Sequence, residues 1–244
     1  MFEDRSSYRR LHRKKGLVSF EITVKETNLN IQADQDLTRE AVTAALKFRG
    51  YIETHIRSCP EFSSSFAPLP VPDLIPGIVL DMYRAAIASR TGPMAAVAGA
   101  VAEHVGKSLL TISREIVVEN GGDVFIRSDS DTIFTIYAGE SPLSMKAGIL
   151  VKKRKKPFGL CTSSGTLGHS KSFGKADAVT VLASSCALAD AVATALGNRV
   201  KTPSDIAKAV DTGKQIPGIE GLVIIKGEHM GLWGDLNLVP LDKT

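Results

Sequence analysis

The stretch Ile116-Val117-Val118-Glu119-Asn120-Gly121-Gly122-Asp123-Val124-Phe125-Ile126-Arg127 reads as two short apolar strands around a polar turn. Its β-branched and aromatic residues favour extended backbone, and its two glycines accept the positive φ of a tight hairpin. The glycines satisfy the turn by themselves. Glu119, Asn120 and Asp123 are therefore either ordinary turn residues or a polar trio held on a rigid hairpin to bind a heterocycle or ribose.

Working outward, the same pattern recurs at residues 132–138, 149–152, 178–183, 221–226 and 230–238, with turn residues between. Before it, Val18, Phe20, Ile22 and Val24, then Leu29 and Ile31, alternate with polar residues and predict a hairpin turning near 26–28. Helical spacing begins at Leu37, with Thr38 as N-cap, and carries Ala41, Ala45, Phe48, Ile52 and Ile56 to Cys59-Pro60. Residues 62–76 hold a serine run with Pro68, Pro70, Pro72 and Pro76, which predicts irregular chain crossing between two lobes at about 60–76.

Further helices are predicted over 78–89, over 94–105 after Gly92-Pro93, and over 187–196 before Gly197-Asn198; another is capped by Ser204 after Pro203. Strands and helices come in blocks, which predicts an α+β fold, one domain over 1–244 made of two lobes. The 94–105 helix is almost all Ala, Gly and Val. Either something packs very close to it, or its bare backbone faces a ligand or metal.

The 244 residues, 43% hydrophobic and 23% charged, can bury a sizeable core. A net charge of +4, with basic runs at 9–15 and 152–156, is too small to predict nucleic-acid binding. The 152–156 run is either a solvated turn or an anion-facing lip. Cys59, Cys161 and Cys186 lack metal-binding spacing, and an odd count does not describe a disulfide scaffold. A reducing, cytoplasmic setting follows as the expectation, and no stretch predicts secretion or membrane spanning.

Two further segments can carry chemistry. In Cys161-Thr162-Ser163-Ser164-Gly165-Thr166-Leu167-Gly168-His169-Ser170, hydroxyls and glycines after a strand supply donors suited to a phosphate, unless the run is a plain Ser/Gly linker. His169 is a proton donor, a phosphate hydrogen-bonder or neither. In Ala189-Asp190-Ala191-Val192-Ala193-Thr194-Ala195, Asp190 and Thr194 share a helix face and offer hard oxygens to Mg²⁺; the alternative is that Asp190 merely complements a helix dipole.

Together, the small-residue helix, the Asn-Gly-Gly-Asp turn, Thr-Ser-x-Gly, the following His and Ala-Asp-x-x-x-Thr-Ala resemble the ApbE superfamily, the FAD:protein FMN transferases. Over nearly its full length the chain looks like a cytoplasmic branch of it. The resemblance implies a two-lobed α+β fold with FAD in a groove between the lobes and Mg²⁺ at its pyrophosphate. By position, Asp190, Thr194 and the main-chain oxygen of Ala98 match the metal site. Asn120, Gly121, Gly122 and Asp123 match the turn beside the flavin, Thr162, Ser163, Ser164 and Gly165 the stretch that meets the diphosphate, and His169 a following histidine. The chain departs from the transferases at Gly99, where they carry Lys, and at residues 170–174, where they carry Asp-Pro-x-Thr-Gly. These departures weaken the expectation of an acceptor protein. Two activities remain open: Mg²⁺-dependent flavin-nucleotide transfer or FAD pyrophosphate cleavage assisted by His169 or Asp177, and non-catalytic binding of a flavin or other small phosphorylated ligand.

Overall fold

The computed structural model describes residues 14, 16–164 and 174–241. Strands β1 (Val18–Val24), β2 (Thr27–Ala33), β3 (Ile116–Asn120), β4 (Asp123–Arg127), β7 (Phe158–Ser163), β8 (Ala178–Ala183), β9 (Ile219–Lys226) and β10 (His229–Gly234) pair in that order in one eight-stranded sheet. Every pairing is antiparallel. A second sheet holds β11 (Asn237–Pro240), β6 (Ala147–Val151) and β5 (Thr132–Thr135). The helices are α1 (Thr38–Ser58), α2 (Glu61–Ser64), α3 (Gly77–Ser89), α4 (Val97–Leu109), α5 (Cys186–Gly197) and α6 (Ile206–Lys214). This is the expected α+β class.

Alternate residues of the large sheet serve two different cores. Val118, Phe125, Cys161, Val179 and Val181 pack with the helices. Val117, Ile126, Leu160, Leu182 and Val223 pack with Phe134, Ile149 and Val151 of the small sheet. A strand covered on both faces has no reason to alternate, and β8, Ala178-Val179-Thr180-Val181-Leu182-Ala183, is buried at every position.

Several boundaries differ from the sequence expectation. Thr38 is the first residue of α1 and not its N-cap, which is Leu37 without a side-chain cap bond; ahead of it Asp36 Oδ1 accepts from Thr38 N at 2.9 Å and Thr38 Oγ1 at 2.6 Å. In the same way Thr202 and Asp205, not Ser204, form the capping box that leads into α6. The strand expected over 230–238 breaks at Gly234, whose φ of +92° turns the chain out of the large sheet and into the small one. Within the proline-rich segment Pro60 opens the single turn α2, which buries Phe62 completely against Tyr83 and His55. The basic run 152–156 follows β6. Lys152 pairs with Asp131 and Arg154 with Glu220 and Asp235.

Candidate functional site

The site starts where α4 meets α5. Both are poor in large side chains, so their backbones approach: a Cβ on Gly99 would lie 2.4 Å from Cys186 O and 2.8 Å from Asp190 Cβ. On the sheet side, a Cβ on Gly106 would lie 2.1 Å from the Phe125 ring. Close packing thus explains Gly99 and Gly106. The alternative, exposed backbone, holds on another face of the same helix, where Ala98 lines a cavity.

Glu103 locks the two helices together. Its Oε2 accepts from Ser185 Oγ at 2.9 Å, Cys186 N at 2.7 Å and Ala187 N at 3.1 Å, and its Oε1 takes Lys107 Nζ at 2.6 Å. A carboxylate on the free amides of a helix start meets both their hydrogen-bonding need and the positive end of the dipole. One turn further along α5, Asp190 faces the start of α4, and its Oδ2 accepts from Gly99 N at 2.8 Å. Asn120, at the end of β3, reaches the same helix start: its Nδ2 donates to Ala98 O at 3.0 Å.

Two of these residues, Asp190 and Ala98, line a cavity of about 750 Å³. Asp123 and Asp190 line it, 8% and 9% exposed respectively, and Thr194 and Ala98 lie beside them. Asp123 Oδ1 is buried with no hydrogen-bond partner. Burial first, and the charge of Glu119 second, push the Asp123 carboxyl up to about 7 although the Cys161 thiol hydrogen-bonds it. Asp190 is raised well above the ordinary carboxylate range by burial and then by the charge of Asp123; the Gly99 and Ala98 amides oppose the shift. Behind the acids lie Cys161 and Cys186, their sulfurs 3.4 Å apart. Burial raises both thiols, Cys186 to about 11, so both stay protonated at neutral pH.

A family model described as AbpE bacteria matches residues 9–232. The chain belongs to that family. It is 37% identical over 226 residues to a UPF0280 protein of Methanococcus aeolicus, spanning 90% of this chain and 91% of that one. A UPF0280 protein of Methanocaldococcus jannaschii is 40% identical over 229 residues, 91% and 93% of the two chains. Among solved structures it resembles the apo flavinyl transferase ApbE of Pseudomonas stutzeri, with a TM-score of 0.57 and 14% identity over 89% of this chain and 94% of that one. The ApbE protein of Thermotoga maritima gives 0.55 and 14%, over 88% and 96%. At such identities the likeness is one of fold, and the chain is ApbE-like in fold as well as in family.

In this ApbE-like chain the metal-site residues expected from resemblance, Ala98, Asp190 and Thr194, do line one cavity, and Asp123 joins them. The hairpin turn and the Thr-Ser stretch also meet. Gly121 takes a φ of +72°, Thr162 N donates to Gly122 O at 3.0 Å, and a Cβ on Gly122 would lie 2.6 Å from Thr162 O. Thr162 Oγ1 is 2.9 Å from Thr180 Oγ1, and Ser164 Oγ donates to Asp177 O at 2.8 Å, so neither hydroxyl lines the cavity; Ser163 closes β7 beside them.

Asp177 is placed differently from the proton-transfer role expected of it. Its carboxylate accepts from Lys226 Nζ at 3.0 Å and Gly227 N at 2.6 Å, a clasp between β8 and the β9–β10 turn that leaves it off the cavity wall. Gly165 and His169 lie outside the described residues. The sequence reading missed Arg90, Arg199 and the serines at 63–65, all of which line the cavity. The Arg90-Thr91-Gly92-Pro93 junction and the serine run were visible as irregular chain, but only tertiary contact brings them to one wall.

Proposed function

We propose that this protein binds FAD together with Mg²⁺ in the cavity and acts on the FAD pyrophosphate, as a Mg²⁺-dependent FAD pyrophosphatase or flavin-nucleotide transferase. One observation carries the reading: a buried carboxylate oxygen, Asp123 Oδ1, has no partner at a cavity wall that also presents Asp190. A second acid beside an unsatisfied one raises the demand for positive charge, and a set of hard oxygens suits Mg²⁺. Asp190, Thr194 and Ala98 O would hold the ion with Asp123 nearby, all four residues lining the cavity. Bound there, the ion would neutralise charge developing on a pyrophosphate.

The chain's own part is positioning. Gly99 N orients Asp190, Asn120 orients the Ala98 carbonyl, and Glu103 holds α5 against α4. His169, matched by resemblance, would move the proton, since the Asp177 carboxylate is already engaged by Lys226 and Gly227. Water or a small hydroxyl compound would be the acceptor. The likeness to a flavinyl transferase supports the ligand class. Three free thiols are in keeping with a reducing cytoplasm as its place of action. A second reading, binding without turnover, is favoured by that engagement of Asp177.

Incubating the protein with FAD and Mg²⁺ and separating the products tests the proposal. FMN and AMP should appear with Mg²⁺, disappear with a chelator and be lost in Asp190→Ala. Mg²⁺-dependent FAD binding with no product would leave the binding reading; no FAD binding at tens of micromolar, roughly 6 kcal/mol of affinity, would overturn both.

A further inference from the structure

We infer that Arg90 and Arg199 form an anion clamp at the cavity mouth that takes the pyrophosphate of a nucleotide-type ligand; the inference rests on the function proposed above for this cavity. The four charged residues lining the cavity are sorted by depth. Asp123 and Asp190 are buried, whereas Arg90 and Arg199 are exposed. Among the described residues neither guanidinium has a carboxylate partner, although Arg154 of this chain pairs with two, Glu220 and Asp235. With a divalent cation on the two acids, the two arginines leave the cavity with two net positive charges. A pyrophosphate diester carries two negative charges at neutral pH, and planar guanidinium groups suit its paired oxygens.

The backbone supports the same assignment. Arg90 ends α3 in the left-handed conformation, φ 60° and ψ 42°, where glycine is the usual residue because it has no Cβ to clash. The position is held on both sides: Thr91 N donates to Ala86 O at 3.0 Å, and Ser89 Oγ lies 2.8 Å from Thr91 Oγ1 in a buried contact. Arg199 is likewise fixed between a bond from its own N to Leu196 O at 3.0 Å and the fully buried Val200, whose carbonyl accepts from Lys175 N at 2.8 Å. A left-handed helix end occupied by arginine in place of glycine, on the wall of the cavity, points to a use for the side chain.

The test is calorimetric titration of FAD, ADP and riboflavin, with Mg²⁺ present, into wild type, Arg90→Gly, Arg199→Gln and the double variant. The clamp predicts about a tenfold or greater loss of affinity for FAD and ADP in the double variant and no change for riboflavin, which has no phosphate. It also predicts that Arg90→Gly melts at or above the wild-type temperature while binding ADP more weakly, the opposite of what loss of a merely structural arginine would do. Equal FAD and ADP affinity in wild type and double variant would overturn the clamp and leave the flavin reading standing. Arginine-dependent ADP binding with no FAD binding would uphold the clamp and sink the flavin reading. A wild type that binds neither at millimolar concentration, or an equal loss for riboflavin, overturns the clamp.

Discussion

Asn120 Nδ2 donates to Ala98 O at 3.0 Å, tying the end of β3 to the first turn of α4 across 22 positions of sequence. This bond couples the hairpin turn to the helix start on which Asp190 is hung. Asn120→Ala should cost about 1 kcal/mol of stability, the net worth of one such bond, in urea unfolding. It should also weaken Mg²⁺ binding in calorimetry, because the Ala98 carbonyl loses its orientation. Unchanged Mg²⁺ affinity would separate the hairpin from the metal site.

Gly99 is fixed by packing. A side chain there would enter the space of Cys186 O and Asp190 Cβ, at 2.4 and 2.8 Å. Gly99→Ala should destabilise by about 2 kcal/mol or more through overpacking against backbone. Gly99→Lys should be worse and should confer no transfer of FMN to a threonine peptide. A stable Gly99→Lys protein would show that α4 and α5 separate more easily than their contacts imply.

The buried acids make stability depend on pH. The Asp123 carboxyl is raised to about 7, against about 4 in an unfolded chain. Below about pH 4 both states hold the proton; between 4 and 7 only the folded state does, so stability falls as pH rises through that window and levels off above it. Melting curves without divalent cation should show this decline, and Asp123→Asn should flatten it. Added Mg²⁺ should restore stability most at the high-pH end, where the carboxylates are ionised.

Cys161 and Cys186 are both fully buried, with raised pKa values, whereas Cys59 is partly exposed. A thiol reagent should therefore modify Cys59 in the native protein and reach the other two only after unfolding. Native modification of Cys161 would mean that the core between the large sheet and α5 opens to solvent.

The sequence by itself determined the α+β class, most of the strands and helices, and the residue types of the site. Each of these follows from local rules: apolar alternation, helical spacing, and glycine at a turn such as Gly121, where φ is +72°. The spacing of Asp190 and Thr194 on α5 was legible for the same reason, since four residues make one helical turn. What only the tertiary structure decided is which groups face one another. The break at Gly234 that sends β11 to a second sheet, the engagement of Asp177 by Lys226 and the approach of Asp123 to Asp190 all depend on contacts distant in sequence. So does the gathering of Arg90 and Arg199 at one cavity, 109 positions apart in the chain. Periodicity describes how a segment buries its own face, but a carboxylate's charge state and partners are set by the low-dielectric surroundings that other segments build around it.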